Sequence, residues 1–120
     1  MMRMLKNLPG RLSNAMRYSL SGLKHAFIKE ESFRIETFVL VLLVVVLALV
    51  HWPVWKKVAL VGAYMPIIAA ELVNSCLEEL CDHIQPGRHP MVKAVKDMAS
   101  AAVLAAIVFA ALALAALILA

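Results

Sequence analysis

Apolar residues run along this chain in two rhythms. Between Leu5 and Ile28 they recur at spacings of three and four, through Leu8, Leu12, Ala15, Met16, Ser19, Leu20, Leu23 and Phe27. That is the stripe of an amphipathic helix, and with Lys and Arg on its other faces it predicts a surface helix over about 5–30 lying along a membrane interface. Gly10 and Gly22 weaken it and are places where it could break. Beyond it the rhythm gives way to three nearly unbroken apolar runs. Thr37–Val50 carries no charge, and counting Phe33 and Ile35 the segment 33–51 reaches the ~20 residues needed to cross ~30 Å of hydrocarbon. A second span, about 56–81, is apolar from Val58 to Ala70 and then mixes Leu72, Val73, Cys76 and Leu77 with polar residues. A third, about 92–120, is almost wholly Ala, Leu, Ile and Val from Met98 onward. Pro53, between Trp52 and Trp55, predicts a short turn at an interface. Pro86, Gly87 and Pro90 predict a polar loop from about His83 to Val95. The expectation is one all-α integral membrane domain over 1–120, with three transmembrane helices and an N-terminal amphipathic surface helix.

Composition sharpens that picture. The 120 residues are 63% hydrophobic and 17% charged, where soluble domains run near half apolar and a quarter charged. A chain this short could not hide so much apolar surface from water, which excludes a soluble enzyme or a free-standing nucleic-acid reader. The net charge of +4 suits anionic lipid headgroups, and no nucleic-acid partner is expected. The first apolar run begins too late for a removable signal peptide. Residues 1–34 hold seven Lys and Arg against two acids, and the 83–97 region adds Arg88, Lys93 and Lys96. The positive-inside rule puts both on the cytoplasmic face and the C-terminus outside, with Lys56 and Lys57 outvoted.

The chemistry is concentrated where the second span leaves its apolar run. Glu71, Asn74, Ser75, Glu78 and Asp82 fall at i, i+3, i+4, i+7 and i+11, one face of a helix. Ionisable groups continuous with a span are costly and by default functional. Glu30, Glu31 and Glu36 flank the start of the first span, and Lys96, Asp97 and Ser100 stand at the start of the third. Carboxylates such as Glu30 and Glu78 cannot crowd together without a cation, and an oxygen-rich, hydrated set suits Mg²⁺. Arg11, Arg88 and Lys96 offer charge of the kind that holds phosphates. Glu71, deepest in the stripe, is placed to take a proton from an alcohol arriving out of the lipid.

Other signals are absent. The glycines, at 10, 22, 62 and 87, permit neither GxxxxGK[ST] nor GxGxxG. Cys76 and Cys81 lack partners at zinc-ligand spacing, and the four histidines form no close pair. The small residues of the third span and Pro66 of the second read as packing features. Physics alone thus reaches a cation-binding, anion-handling polar site at one leaflet. A proton-coupled transporter would want an isolated carboxylate near the bilayer midplane. A non-catalytic scaffold would leave the polar register without a purpose.

These residues resemble the small bacterial integral-membrane diacylglycerol kinases, whose relatives include undecaprenol kinases. The resemblance runs from about Arg11 to the third span. It is carried by Glu71, Asn74, Ser75, Glu78 and Asp82 in E-x-x-N-[ST]-A-[IL]-E-x-x-x-D, and by Lys96, Asp97 and Ser100 in K-D-x-[AG]-[SA]. Tyr18, Ser19, Gly22, Leu23 and the stretch Glu30–Glu36 agree as well. The resemblance implies a homotrimer with composite sites between subunits, in the bacterial inner membrane, moving the γ-phosphoryl of ATP onto a lipid hydroxyl with Mg²⁺. By the same resemblance Glu71 is the general base, and Glu30 and Glu78 hold Mg²⁺. Arg11, Tyr18, Gly87, Arg88, His89, Lys96 and Asp97, with Glu30 and Glu78, bind the nucleotide. Arg11, Glu36, Asn74 and Ser100, with Glu71, contact the lipid, and Asp82 supports the stripe. Leu20, Ile35, Gly87 and Arg88 depart from residues common among the relatives. Phe33–Glu36 and the Ser-Ala-Ala-Val beginning at Ser100 resemble the diacylglycerol branch more than the undecaprenol branch.

Overall fold

A computed structural model describes all residues, 1–120, as five helices: α1 (Met2–Lys6), α2 (Leu8–Lys29), α3 (Glu31–Leu49), α4 (Val54–Ile84) and α5 (Pro90–Leu119). There are no strands. The last three are each long and apolar enough to span a membrane. The N-terminal segment breaks at Asn7, and neither Gly10 nor Gly22 interrupts α2. Pro9 explains the position: it lacks an N–H and fits the first turn of a helix, where none is needed. α2 is exposed along nearly its whole length, with Ala26 its one buried residue.

A sharp elbow at Glu30, in extended conformation, separates α2 from α3. Arg34 braces it by donating from Nη1 to the carbonyls of Phe27 at 3.0 Å and Ile28 at 2.9 Å, satisfying the last turn of α2. At the other end of α3 the chain turns through His51–Pro53 and enters α4. The second connection is shorter than its proline content predicts. α4 runs on to Ile84, and Pro90 starts α5 rather than ending a helix, so the loop is only Gln85–His89. His89 caps α5, its Nδ1 accepting from the Met91 N–H at 3.1 Å.

α4 is the central element, packed against both α3 and α5. Its 31 residues make about 46 Å of helix, against about 30 Å of hydrocarbon. Counted from Pro53 and the flanking tryptophans, the hydrocarbon ends near residue 74. Glu71 then lies just inside it, and Glu78 to Ile84 project beyond. At the opposite end Lys56 Nζ donates to the carbonyls of Leu117 at 3.0 Å and Ala120 at 2.8 Å. The same ammonium lies 5.5 Å from the Trp52 ring and 5.7 Å from Trp55. This clasp joins the start of α4 to the end of α5, beside a small core of Leu47, Leu60 and Leu117.

Burial within one chain is slight: 12 of 120 residues are buried, and no side chain is wholly enclosed. The radius of gyration is 18.0 Å, where a compact water-soluble chain of this length would have about 14 Å. Lipid-facing helices need no apolar core, because hydrocarbon is as good a solvent for leucine as another helix is.

Candidate active site

Three of the twelve buried residues are polar, and they are consecutive on one face of α4: Glu71, Asn74 and Ser75. Glu71 is 5% exposed. Its charged neighbours are Glu36 on α3 and Glu78 one face-repeat along α4. Asn74 donates from Nδ2 to Glu78 Oε1 at a long 3.4 Å. Asn74 Oδ1, Ser75 Oγ and Thr37 Oγ1 are buried without a hydrogen-bond partner. Such orphaned atoms are uncommon in folded proteins, and two of the three stand on the Glu71 face of α4. Tyr64, two turns deeper on α4, donates its hydroxyl to Glu36 at both the backbone carbonyl (2.7 Å) and carboxylate Oε2 (2.8 Å).

Nearer the helix end the carboxylates crowd. Glu30, at the elbow, lies beside Glu79 and in the field of Glu78 and Glu71 as well. Burial first, then the neighbouring Glu79 and the charges of Glu78 and Glu71, hold the Glu30 carboxyl above the usual glutamate range. Glu79 is gripped from the other side by His25 Nε2, at 3.0 and 3.1 Å from its two oxygens. The pair bridges α2 to α4 across a cleft lined by Gly22, Ala26, Glu30, Ser75 and Cys76. As a donor set, Glu30 and Glu78 fit a hard divalent cation: they are anionic oxygens with too little positive charge beside them. No three protein ligands enclose a metal within the chain. Mg²⁺ commonly keeps several waters and takes phosphate oxygens, so two carboxylates are a sufficient protein share.

Around the loop, Gly87, Arg88, His89, Lys93, Lys96 and Asp97 line a cavity of about 650 Å³. The N-terminus of the 30-residue α5 opens onto it, so backbone N–H groups and the helix dipole join the basic side chains in favouring an anion there. Lys96 Nζ reaches Asp82 Oδ1 at 2.7 Å and lies near Glu78, which links this cavity to the carboxylate stripe. Lys93 pairs with Asp97 at 2.7 Å.

One chain therefore brings together Glu30, Glu36, Glu71, Asn74 and Glu78 in one group, and Gly87, Arg88, His89, Lys96 and Asp97 in another, joined through Asp82. It does not bring Arg11, Tyr18 or Ser100 to them: all three are exposed, and they line neither the loop cavity nor the α2–α4 cleft. Sequence reasoning missed Tyr64, His25 and Glu79. Tyr64 had a signal, since it stands seven residues before Glu71 and so on the same face. His25 and Glu79 had none, being 54 residues apart.

The chain is thus a three-span membrane protein with a basic loop cavity and a carboxylate cluster at the same end of its bundle. Residues 17–119 match the family described as prokaryotic diacylglycerol kinase. The chain is 36% identical to the diacylglycerol kinase of Escherichia coli strain K12, over 82% of its own length and 80% of that protein's. It is 33% identical to the Haemophilus influenzae diacylglycerol kinase over 80% and 81% of the two chains. It is 35% identical to that of Helicobacter pylori strain 26695 over 82% and 77%. The chain belongs to the prokaryotic diacylglycerol kinase family.

Proposed function

We propose that the protein transfers the γ-phosphoryl group of MgATP to the free hydroxyl of 1,2-diacylglycerol, giving phosphatidic acid and ADP at the cytoplasmic face of the bacterial inner membrane. The observation that carries this reading is Glu71: a buried carboxylate at the level where α4 leaves the hydrocarbon, with polar atoms lacking partners on one side and a carboxylate cluster on the other. A diacylglycerol hydroxyl rides at that depth, with its acyl chains left in lipid. The relatives' shared name favours the glycerolipid over undecaprenol.

In the reaction Glu71 accepts the hydroxyl proton as the lipid oxygen bonds to the γ-phosphorus and the bond to the β-phosphate oxygen breaks. Asn74 and Ser75 offer hydrogen bonds to the glycerol oxygens, with Glu36 alongside and Ser100 a further lipid contact. Glu30 and Glu78 would hold Mg²⁺, which when bound neutralises charge on the transferring phosphates. Lys96 and Arg88, with the α5 N-terminus and its His89 cap, hold the nucleotide phosphates, and Gly87 leaves the loop backbone open to them. Asp97 is a nucleotide contact, and Asp82 orients Lys96. Phosphoryl transfer asks a protein chiefly for positioning and electrostatics, and these groups provide both without a P-loop.

Arg11 and Tyr18 complete the site from α2 of a neighbouring subunit in a homotrimer. Both residues are exposed within one chain and line neither cluster, which is what a site completed by a second copy requires. The deciding experiment offers diacylglycerol and undecaprenol separately, in mixed micelles with labelled MgATP. Label in phosphatidic acid is expected. Label only in undecaprenyl phosphate would move the substrate, and label in neither with folded protein would refute the kinase.

A further inference from the structure

Glu36 has no cationic partner. Its carboxylate makes one side-chain hydrogen bond in the whole chain, to the Tyr64 hydroxyl at 2.8 Å, and the same hydroxyl lies 2.7 Å from the Glu36 carbonyl oxygen. One phenolic proton thus serves two acceptors of one residue, which fixes both the side-chain torsions of Glu36 and the local height of α3 against α4. Tyr64 is itself only 8% exposed, so its ring has little room to swing away. It stands two turns, about 10 Å, below Glu71 on the same face of α4, and Glu36 is the leading charged neighbour of Glu71. Thr37 Oγ1 and Asn74 Oδ1, buried without partners, flank the two carboxylates in sequence.

We infer that Tyr64 is a positioning residue: it pins Glu36 beside Glu71, so that the two carboxylates form a fixed wall against which the acceptor hydroxyl is oriented. Without the phenol, Glu36 loses the contact that selects its rotamer. Misplacing a group that orients a reacting atom by about 1 Å can cost as much as a hundredfold in rate. The nucleotide, bound from the loop side, is not touched by this contact. The inference rests on the reading of Glu71 as the base.

The test is Tyr64→Phe, which removes one oxygen and keeps the ring, measured with a short-chain diacylglycerol and MgATP beside Glu36→Gln, the double variant and Glu71→Gln. Between about ten- and a hundredfold loss in kcat is expected, with KM for MgATP within about twofold and the double variant no slower than Glu36→Gln alone. A kcat for Tyr64→Phe within about twofold of the parent would overturn the inference, as would losses in the two single variants that multiply in the double. A dead Glu71→Gln beside a fully active Tyr64→Phe sinks this inference alone, whereas an active Glu71→Gln sinks the reading beneath it. Should Tyr64→Phe fail to assemble, 3,5-difluorotyrosine at position 64 keeps the shape and changes the donor strength. A severalfold change in kcat is then expected, and an unchanged kcat overturns the inference.

Discussion

Replacing Glu71 by Gln separates the catalytic reading from a structural one, because the two assign opposite signs to stability and activity. Glutamine has nearly the same shape and keeps a carbonyl acceptor, so packing beside Asn74 and Ser75 is preserved. A charged carboxylate costs about 2.5–3.5 kcal/mol at the centre of a span on insertion scales and less near its edge, where Glu71 stands 5% exposed with two further carboxylates as its charged neighbours. Removing its charge relieves part of that cost. Thermal stability in micelles is therefore expected to hold or rise. Activity moves the other way. A positioned general base is worth roughly 10²–10⁴ in rate, equivalent to about 3–5 kcal/mol of transition-state stabilisation, and an amide cannot take the proton. The assay is transfer of labelled phosphate to diacylglycerol at saturating MgATP, with an unfolding curve on the same preparation. Activity within about threefold of the parent would refute the reasoning. So would a lowered melting temperature, since interhelical hydrogen bonding would then explain the residue.

Glu78→Gln should raise the Mg²⁺ concentration for half-maximal rate by about tenfold or more while leaving the helical signature intact, which a Mg²⁺ titration at fixed ATP reads directly. Arg34→Ala removes the brace on the carbonyls of Phe27 and Ile28 and loosens the elbow that carries Glu30. KM for MgATP should rise severalfold, and an unchanged KM would show that the elbow holds without the brace. Lys56→Met breaks the clasp at the far end of the bundle. The lost interaction with the α5 terminus and two indole rings is worth about 1–2 kcal/mol, so the melting temperature should fall while kcat and both KM values stay within twofold.

The four long helices, and the register of the stripe from Glu71 to Asp82, were legible in the sequence for a local reason. Apolar run length, the three-and-four spacing and the i, i+3, i+4, i+7 rule all act within one helix, so no knowledge of neighbours is needed. Proline and glycine were weaker guides: Pro90 starts α5, where reading it as a helix terminator lengthens the loop, and the N-terminal break falls at Asn7 rather than at Gly10 or Gly22. Family motifs then supplied the chemistry that spacing alone left open. What the sequence could not convey is which faces meet. In a soluble bundle the apolar stripe points to the partner helix, but α3 and α5 are apolar all round, and hydrocarbon is no worse a neighbour than protein. Tyr64 on Glu36, His25 on Glu79, Lys96 on Asp82 and Lys56 on the end of α5 join residues 28, 54, 14 and 61 positions apart. Each pairing depends on helix rotation and height, which small residues and a few polar contacts set. The individual helices and their chemical groups are properties of the sequence, and their arrangement into a site is a property of the packing.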